Sequence, residues 1–159
     1  MIPAPLVFPT FDKPEGWTLE TKGPRQWLVS PTPGARIVIP PVQGRPRNSS
    51  PPMYFDRILD QERTRFARVE TTTPITITSR QHYPGLLADL HGFEASGVER
   101  EARCYVLFAT DALFGVMFLQ SHPSFFETLR PPFVALAQTM VLPELETPPP
   151  ASMEPWDEL

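Results

Sequence analysis

The residues of this chain with the chemistry to act as nucleophile, base or metal ligand are few: Cys104, the histidines His82, His91 and His122, and Ser121 and Ser124 on either side of His122. A cysteine reacts as its thiolate, and Cys104 stands in the apolar run Cys104-Tyr105-Val106-Leu107, where burial raises its pKa and hides it. A structural thiol is expected. His82 and His91 have opposite parity along one strand and would face away from each other, and His122 falls in a loop beyond the next strand. No spacing resembles a zinc site, so no metal and no cofactor are expected. Ser124 and Glu127 have the spacing of a helix capping box, which accounts for Ser124 without catalysis. Asp89 and Glu94 also differ in parity, which separates them as an acid–base pair. There is no Gly-x-Gly-x-x-Gly after a strand and no Walker-type lysine. These residues predict a protein without catalytic function.

Composition sets the frame for the elements. At 159 residues the chain fits one domain able to bury a core without metal or disulfide support, and its single cysteine excludes an internal disulfide. No run approaches the roughly 18 apolar residues of a membrane span. The N-terminus lacks a basic region and its prolines interrupt any apolar stretch, so no secretory signal is read and a soluble, cytoplasmic protein is expected. The net charge is −4, yet Glu144, Glu146, Glu154, Asp157 and Glu158 crowd the last residues without a lysine or arginine. The remainder is near neutral and gives no footprint for nucleic acid. The 22 prolines concentrate at 3–14, 24–52 and 143–155, predicting extended or turning connections there.

Three consecutive antiparallel strands organise the rest. The first is Leu86 to Glu94, closed by Ser96-Gly97; the second is Arg103 to Ala109, closed by Thr110-Asp111; the third is Leu113 to Gln120. The last two carry apolar residues at both parities, so both faces of the sheet need cover. Ahead of them, Gly16 to Glu20, Arg25 to Ser30 and Ala35 to Ile39 predict a meander, with Trp17 and Leu19, Trp27 and Val29, and Ile37 and Ile39 as inward pairs. Each tryptophan is expected in the core. Leu6, Val7 and Phe8 could add an edge strand to an extended arm. Ser50-Pro51-Pro52 predicts the start of a helix over 53–66 with Phe55, Ile58, Leu59 and Phe66 on one stripe. Glu70 to Thr78 is strand-like, with Pro74 marking an edge. Phe125 to Met140 has helical periodicity broken by Pro131-Pro132, predicting a turn at 124–129 and a helix over 131–140, or one kinked helix. The expected fold class is α+β: an antiparallel sheet of about six to seven strands, covered on one face by two helices. Residues 1–15 form an arm, 16–142 the domain, and 143–159 an acidic proline-rich tail.

This order of elements resembles the PsbP-like superfamily. The residues that carry the likeness are a Gly16-Trp17 strand after an aromatic-proline lead, a small meander, a helix, a Thr-rich strand, three long strands and a final helix introduced by Phe125-Phe126. The group contains a photosystem extrinsic subunit, Ran-binding Mog-type proteins and bacterial relatives, some of them chaperones for type VI secretion effectors. The resemblance spans residues 8 to 142 and implies a scaffold that binds macromolecules and generally lacks catalysis. It carries over no functional residue.

Two helices on one face would leave apolar side chains on the other, to be covered by the meander's tryptophans, by the chain's own termini, by a second copy or by a client; in the last two cases Tyr105, Leu107, Leu113, Met117 and Leu119, or the opposite set, face a partner. In the tail, Trp156 and Leu159, with Met153, have the composition of a short docking motif amid acidic residues. The function expected from the sequence is a non-enzymatic adaptor or chaperone covering a hydrophobic protein surface, associated with a secretion system where the resemblance extends that far. The alternatives are a structural subunit of a larger assembly or homodimer, and a small-ligand binder or enzyme whose pocket collects His91, Tyr105 and Glu94.

Overall fold

The computed structural model describes residues 7–23, 25–31, 35–42, 50–108, 114–121 and 123–143, with the backbone alone at 22, 114–121 and 123–128. The N-terminal meander forms β1 (Thr18–Lys22), β2 (Arg25–Val29) and β3 (Arg36–Ile39), with Leu19 opposite Leu28 and Trp27 opposite Val38. Gly23, at φ +60°, supplies the positive dihedral of the first turn. Helix α1 (Pro51–Arg63) starts where the sequence places it. The Ser50 hydroxyl accepts from the Met53 N–H at 3.4 Å, and two prolines fill positions whose amides would lack partners.

The Thr-rich segment is two strands rather than one, β4 (Arg68–Thr71) and β5 (Ile75–Thr78), and both pair with β6 (Pro84–Phe93). Thr71 lies opposite Leu90 and Ile75 opposite Leu87, so three residues of one side face two of the other. Pro74 cannot donate to the ladder and sits in that interruption. Thr72 partly mends it: its N–H donates to the Asp89 carbonyl, and its Oγ1 accepts from the Asp89 N–H, both at 2.9 Å.

After β6 come β7 (Glu99–Phe108), β8 (Phe114–Ser121) and α2 (Pro123–Thr139). The described strands make one eight-stranded antiparallel sheet in the order β1-β2-β3-β8-β7-β6-β4, with β5 also on β6. The Thr110-Asp111 turn lies outside the described residues. Of the two expected arrangements α2 takes the second, one helix running through Pro131 and Pro132 instead of a turn followed by a helix. Pro131 is exposed, so carbonyls freed by the missing donors can turn to water on that side. Ser124 lies within the first turn, not ahead of it as a cap.

Register assigns the faces. Tyr105 lies between Leu87 and Met117, and Cys104 lies between Ala88 and Phe118. Tyr105 and Leu107 share a core with Ile37, Ile39, Phe133 and Leu136, under α2. Cys104 and Val106 share the other core with Val38, Leu90, Phe55 and Ile58, under α1. The helices therefore take opposite faces, where one common face was expected. A strand apolar at both parities is what a sheet between two helical layers requires, and each fully buried side chain of this size is worth about 1.5–3 kcal/mol. As a consequence Tyr105 and Leu107 are 0% exposed and face the chain's own interior, not a partner.

The meander departs from its expected pairs for the same reason. Ile37 and Ile39 are buried together and Trp17 is in the core, but Leu19 and Val29 are exposed and Trp27 is only half-buried. The buried residue of β2 is Leu28, because its face lies under the α2 side of the sheet. The described part of the N-terminal arm is docked. The Val42 N–H donates to the Val7 carbonyl at 2.7 Å, and Thr10 exchanges two backbone hydrogen bonds with Val141 at 2.9 and 2.7 Å. Leu6 lies outside the described residues. No helix among the described residues is long and apolar enough to cross a membrane.

Candidate functional site

With the middle of each sheet face covered by a helix, the described surface opens at one end of the sheet, on the α1 side. A cleft of about 670 Å³ is lined by Val29 at the end of β2, Ala35 and Arg36 entering β3, Glu62, Arg65 and Phe66 at the end of α1, Glu94 after β6, and Arg100 to Ala102 in β7. The sheet order makes this grouping. Gln120 of β8 pairs with Arg36 on one side and Ala102 on the other, so residues far apart in sequence stand two strands apart, about 10 Å.

Each charged side chain is positioned by a local device. The chain leaves α1 through a turn in which the Arg65 N–H donates to the Glu62 carbonyl at 3.1 Å and the Phe66 N–H to that of Arg63 at 3.0 Å, delivering Arg65 and Phe66 to the cleft. Glu62 is 1% exposed, and Arg65 Nε lies 3.3 Å from its Oε1. Gly97, at φ +89°, closes the β6–β7 turn, where the Glu94 N–H donates to Val98 and the Gly97 N–H to Glu94, both at 2.9 Å. That turn brings Arg100 back onto the Glu94 carboxylate.

Arg36 is held differently. Its guanidinium lies 4.4 Å from the centre of the Trp27 ring, across the β2–β3 pair. Partial burial first, then the positive charges of Arg100 and Arg65, hold its pKa below the ordinary arginine value. The cleft thus combines a stacked, exposed guanidinium, two arginine–carboxylate pairs and apolar walls from Val29, Ala35, Phe66 and Ala102.

The residues singled out in the sequence are scattered. His91 pairs with Glu99 at 2.7 Å, Tyr105 is in the α2-side core, and of the three proposed pocket residues Glu94 alone lines the cleft. Asp89 and Glu94 bind different arginines, Arg103 and Arg100. Cys104 is a buried free thiol whose pKa is pushed up by burial and by the nearby Glu62 charge. Met117 and Leu119 belong to β8, where only the backbone is described; Leu113, Trp156 and Leu159, like His122, Met153 and the proline-rich 43–49, lie outside the described residues. The cleft arginines were missed because they are remote in sequence. The one local signal was the Trp27–Arg36 pair, which sits across a predictable hairpin.

No family model matches the chain, and no curated protein does. Solved structures do match in fold. Cyanobacterial PsbP (CyanoP) from Synechocystis sp. PCC 6803 is similar with a TM-score of 0.60 and 12% identity, over 84% of this chain and 85% of that one. LpqN, involved in cell envelope biogenesis of Mycobacterium tuberculosis, gives 0.61 and 11% over 84% and 82%. The Ran-binding protein Mog1p of Saccharomyces cerevisiae gives 0.58 and 9% over 84% and 89%. The chain has the PsbP-like fold, as its order of elements implied.

Proposed function

We propose that this chain is a non-catalytic protein-binding adaptor whose docking surface is the cleft around Arg36 and not a face of the sheet. The observation that carries the reading is the stack of Arg36 on Trp27 beside Val29, Ala35 and Phe66. Tryptophan and arginine set against apolar walls are the residue types that concentrate binding energy at protein interfaces. The fold is shared with Mog1p, a protein named for binding Ran, which supports the same class of role.

A chaperone for a hydrophobic client needs a contiguous apolar surface. The exposed large apolar side chains among the described residues are Leu19, Val29, Met53, Ile75 and Val98, which belong to β1, β2, α1, β5 and the β6–β7 turn. Their dispersal favours the adaptor over the chaperone.

The test is a photo-crosslinking amino acid placed at Val29, on the cleft, and separately at Ile75, on β5. In cells of the source organism, Val29 is expected to give discrete protein adducts that Ile75 does not. No adduct from Val29, or the same adducts from both sites, overturns the reading.

A further inference from the structure

Resting on that docking reading, we infer that the cleft receives an acidic side chain from an extended peptide segment of the partner protein, with the guanidinium of Arg36 donating to its carboxylate. The carboxylates already in the cleft are occupied: Glu62 by Arg65 and Glu94 by Arg100, while Glu101 has a contact of its own. Among the described residues, Arg36 is held by the Trp27 ring and by no carboxylate. With Cζ 4.4 Å from the ring centre, Trp27 covers one side of the guanidinium, and the N–H donors not turned to it remain for a bidentate carboxylate.

The surroundings favour an anion there. Partial burial has already removed some of the water of Arg36, and the charges of Arg100 and Arg65, each paired with its own carboxylate, leave Arg36 the guanidinium an arriving carboxylate can compensate. They also favour a peptide over a small carboxylate. A lone ion pair on an exposed side chain gains little, whereas residues flanking an acidic side chain can also cover Val29, Ala35, Phe66 and Ala102.

The probe is a short labelled peptide alternating Asp with Leu, compared with its Asn counterpart, titrated into the full-length protein by fluorescence anisotropy. The Asp peptide is expected to bind, and to bind more weakly as salt is raised. Arg36→Gln is expected to lower its affinity about tenfold or more, to the level of the Asn peptide. Arg36→Lys, which keeps the charge but loses the planar fork, should fall between. Because Arg36 is exposed, the variants are expected to melt with the wild type, which separates binding from folding. Equal affinity for the Asp and Asn peptides, wild-type affinity in Arg36→Gln, or displacement by succinate at the concentration at which the peptide itself binds overturns the inference. If Val29 still crosslinks while Arg36→Gln changes nothing, the acidic-peptide assignment falls and the docking reading stands; if Val29 gives no adduct, the docking reading falls.

Discussion

Arg103 forks onto Asp89 directly across the β6–β7 ladder, with Nε 2.6 Å from Oδ1 and Nη2 2.9 Å from Oδ2. Arg130 of α2 approaches the same carboxylate at 3.5 Å, and the Arg103 guanidinium lies 6.0 Å from the Phe133 ring. At 9% and 14% exposure the pair is nearly dry, and it ties α2 to the sheet at the polar end of its core. Such a pair is costly to break and cheap to replace. Asp89→Asn or Arg103→Met alone should destabilise the protein by about 3–5 kcal/mol in urea titrations, and the apolar double replacement Asp89→Leu with Arg103→Met should recover most of the loss. Additive losses would show that the two side chains act independently.

Tyr105 is buried, its hydroxyl has no hydrogen-bond partner among the described residues, and burial pushes its pKa up to about 12 from 10.0. Tyr105→Phe removes a desolvated polar group and keeps the ring, so stability should be unchanged or up to about 1 kcal/mol higher. The folded pKa lies above the unfolded one. The stability linked to this phenol is therefore full below pH 10 and is lost as pH rises through 12, when the unfolded state ionises first. Denaturation midpoints across that window should fall less steeply in the Phe variant. A marked loss of stability in Tyr105→Phe would reveal a partner for the hydroxyl.

Two glycines mark close approaches and should differ in cost. A Cβ at Gly85 would overlap the ring and hydroxyl of Tyr105, while one at Gly92 would overlap the backbone carbonyl of Arg68. A ring can shift at about 1–3 kcal/mol, but a backbone paired across β4 and β6 cannot yield without opening the ladder. Thermal melts should rank Gly92→Ala well below Gly85→Ala, and shrinking the neighbour with Tyr105→Leu should ease only the latter.

What the sequence made legible follows from local chemistry. The β6–β7 hairpin was visible because Ser96-Gly97 separates two strand-like runs, and α1 because Ser50-Pro51-Pro52 precedes an apolar stripe. The two-sided apolar pattern of Cys104 to Phe108 was also visible. Its cover was not, since nothing in either helix says which face it will take. That choice arises from chain connection, with α1 leaving β3 and α2 leaving β8, and it turned Tyr105 and Leu107 from expected contacts into core. Arg36, Arg65 and Arg100 meet only because β8 is inserted between β3 and β7, a long-range pairing that no short motif encodes.

Cys104 is fully buried and its thiol is held well above the ordinary value, so it should resist thiol reagents in the native protein. Labelling should appear only with denaturant and track the unfolding transition. Rapid labelling of the native state would mean that α1 lifts from the sheet.

The most direct test of the cleft follows the indole N–H resonance of Trp27 by nuclear magnetic resonance while the Asp-Leu peptide is added. The Trp27 ring carries Arg36, whereas Trp17 lies in the α2-side core. The Trp27 signal, assigned by its loss in Trp27→Phe, is expected to shift progressively to saturation while that of Trp17 stays in place. A stationary Trp27 signal alongside saturable binding, or a larger shift at Trp17, would contradict the assignment of the cleft as the docking surface.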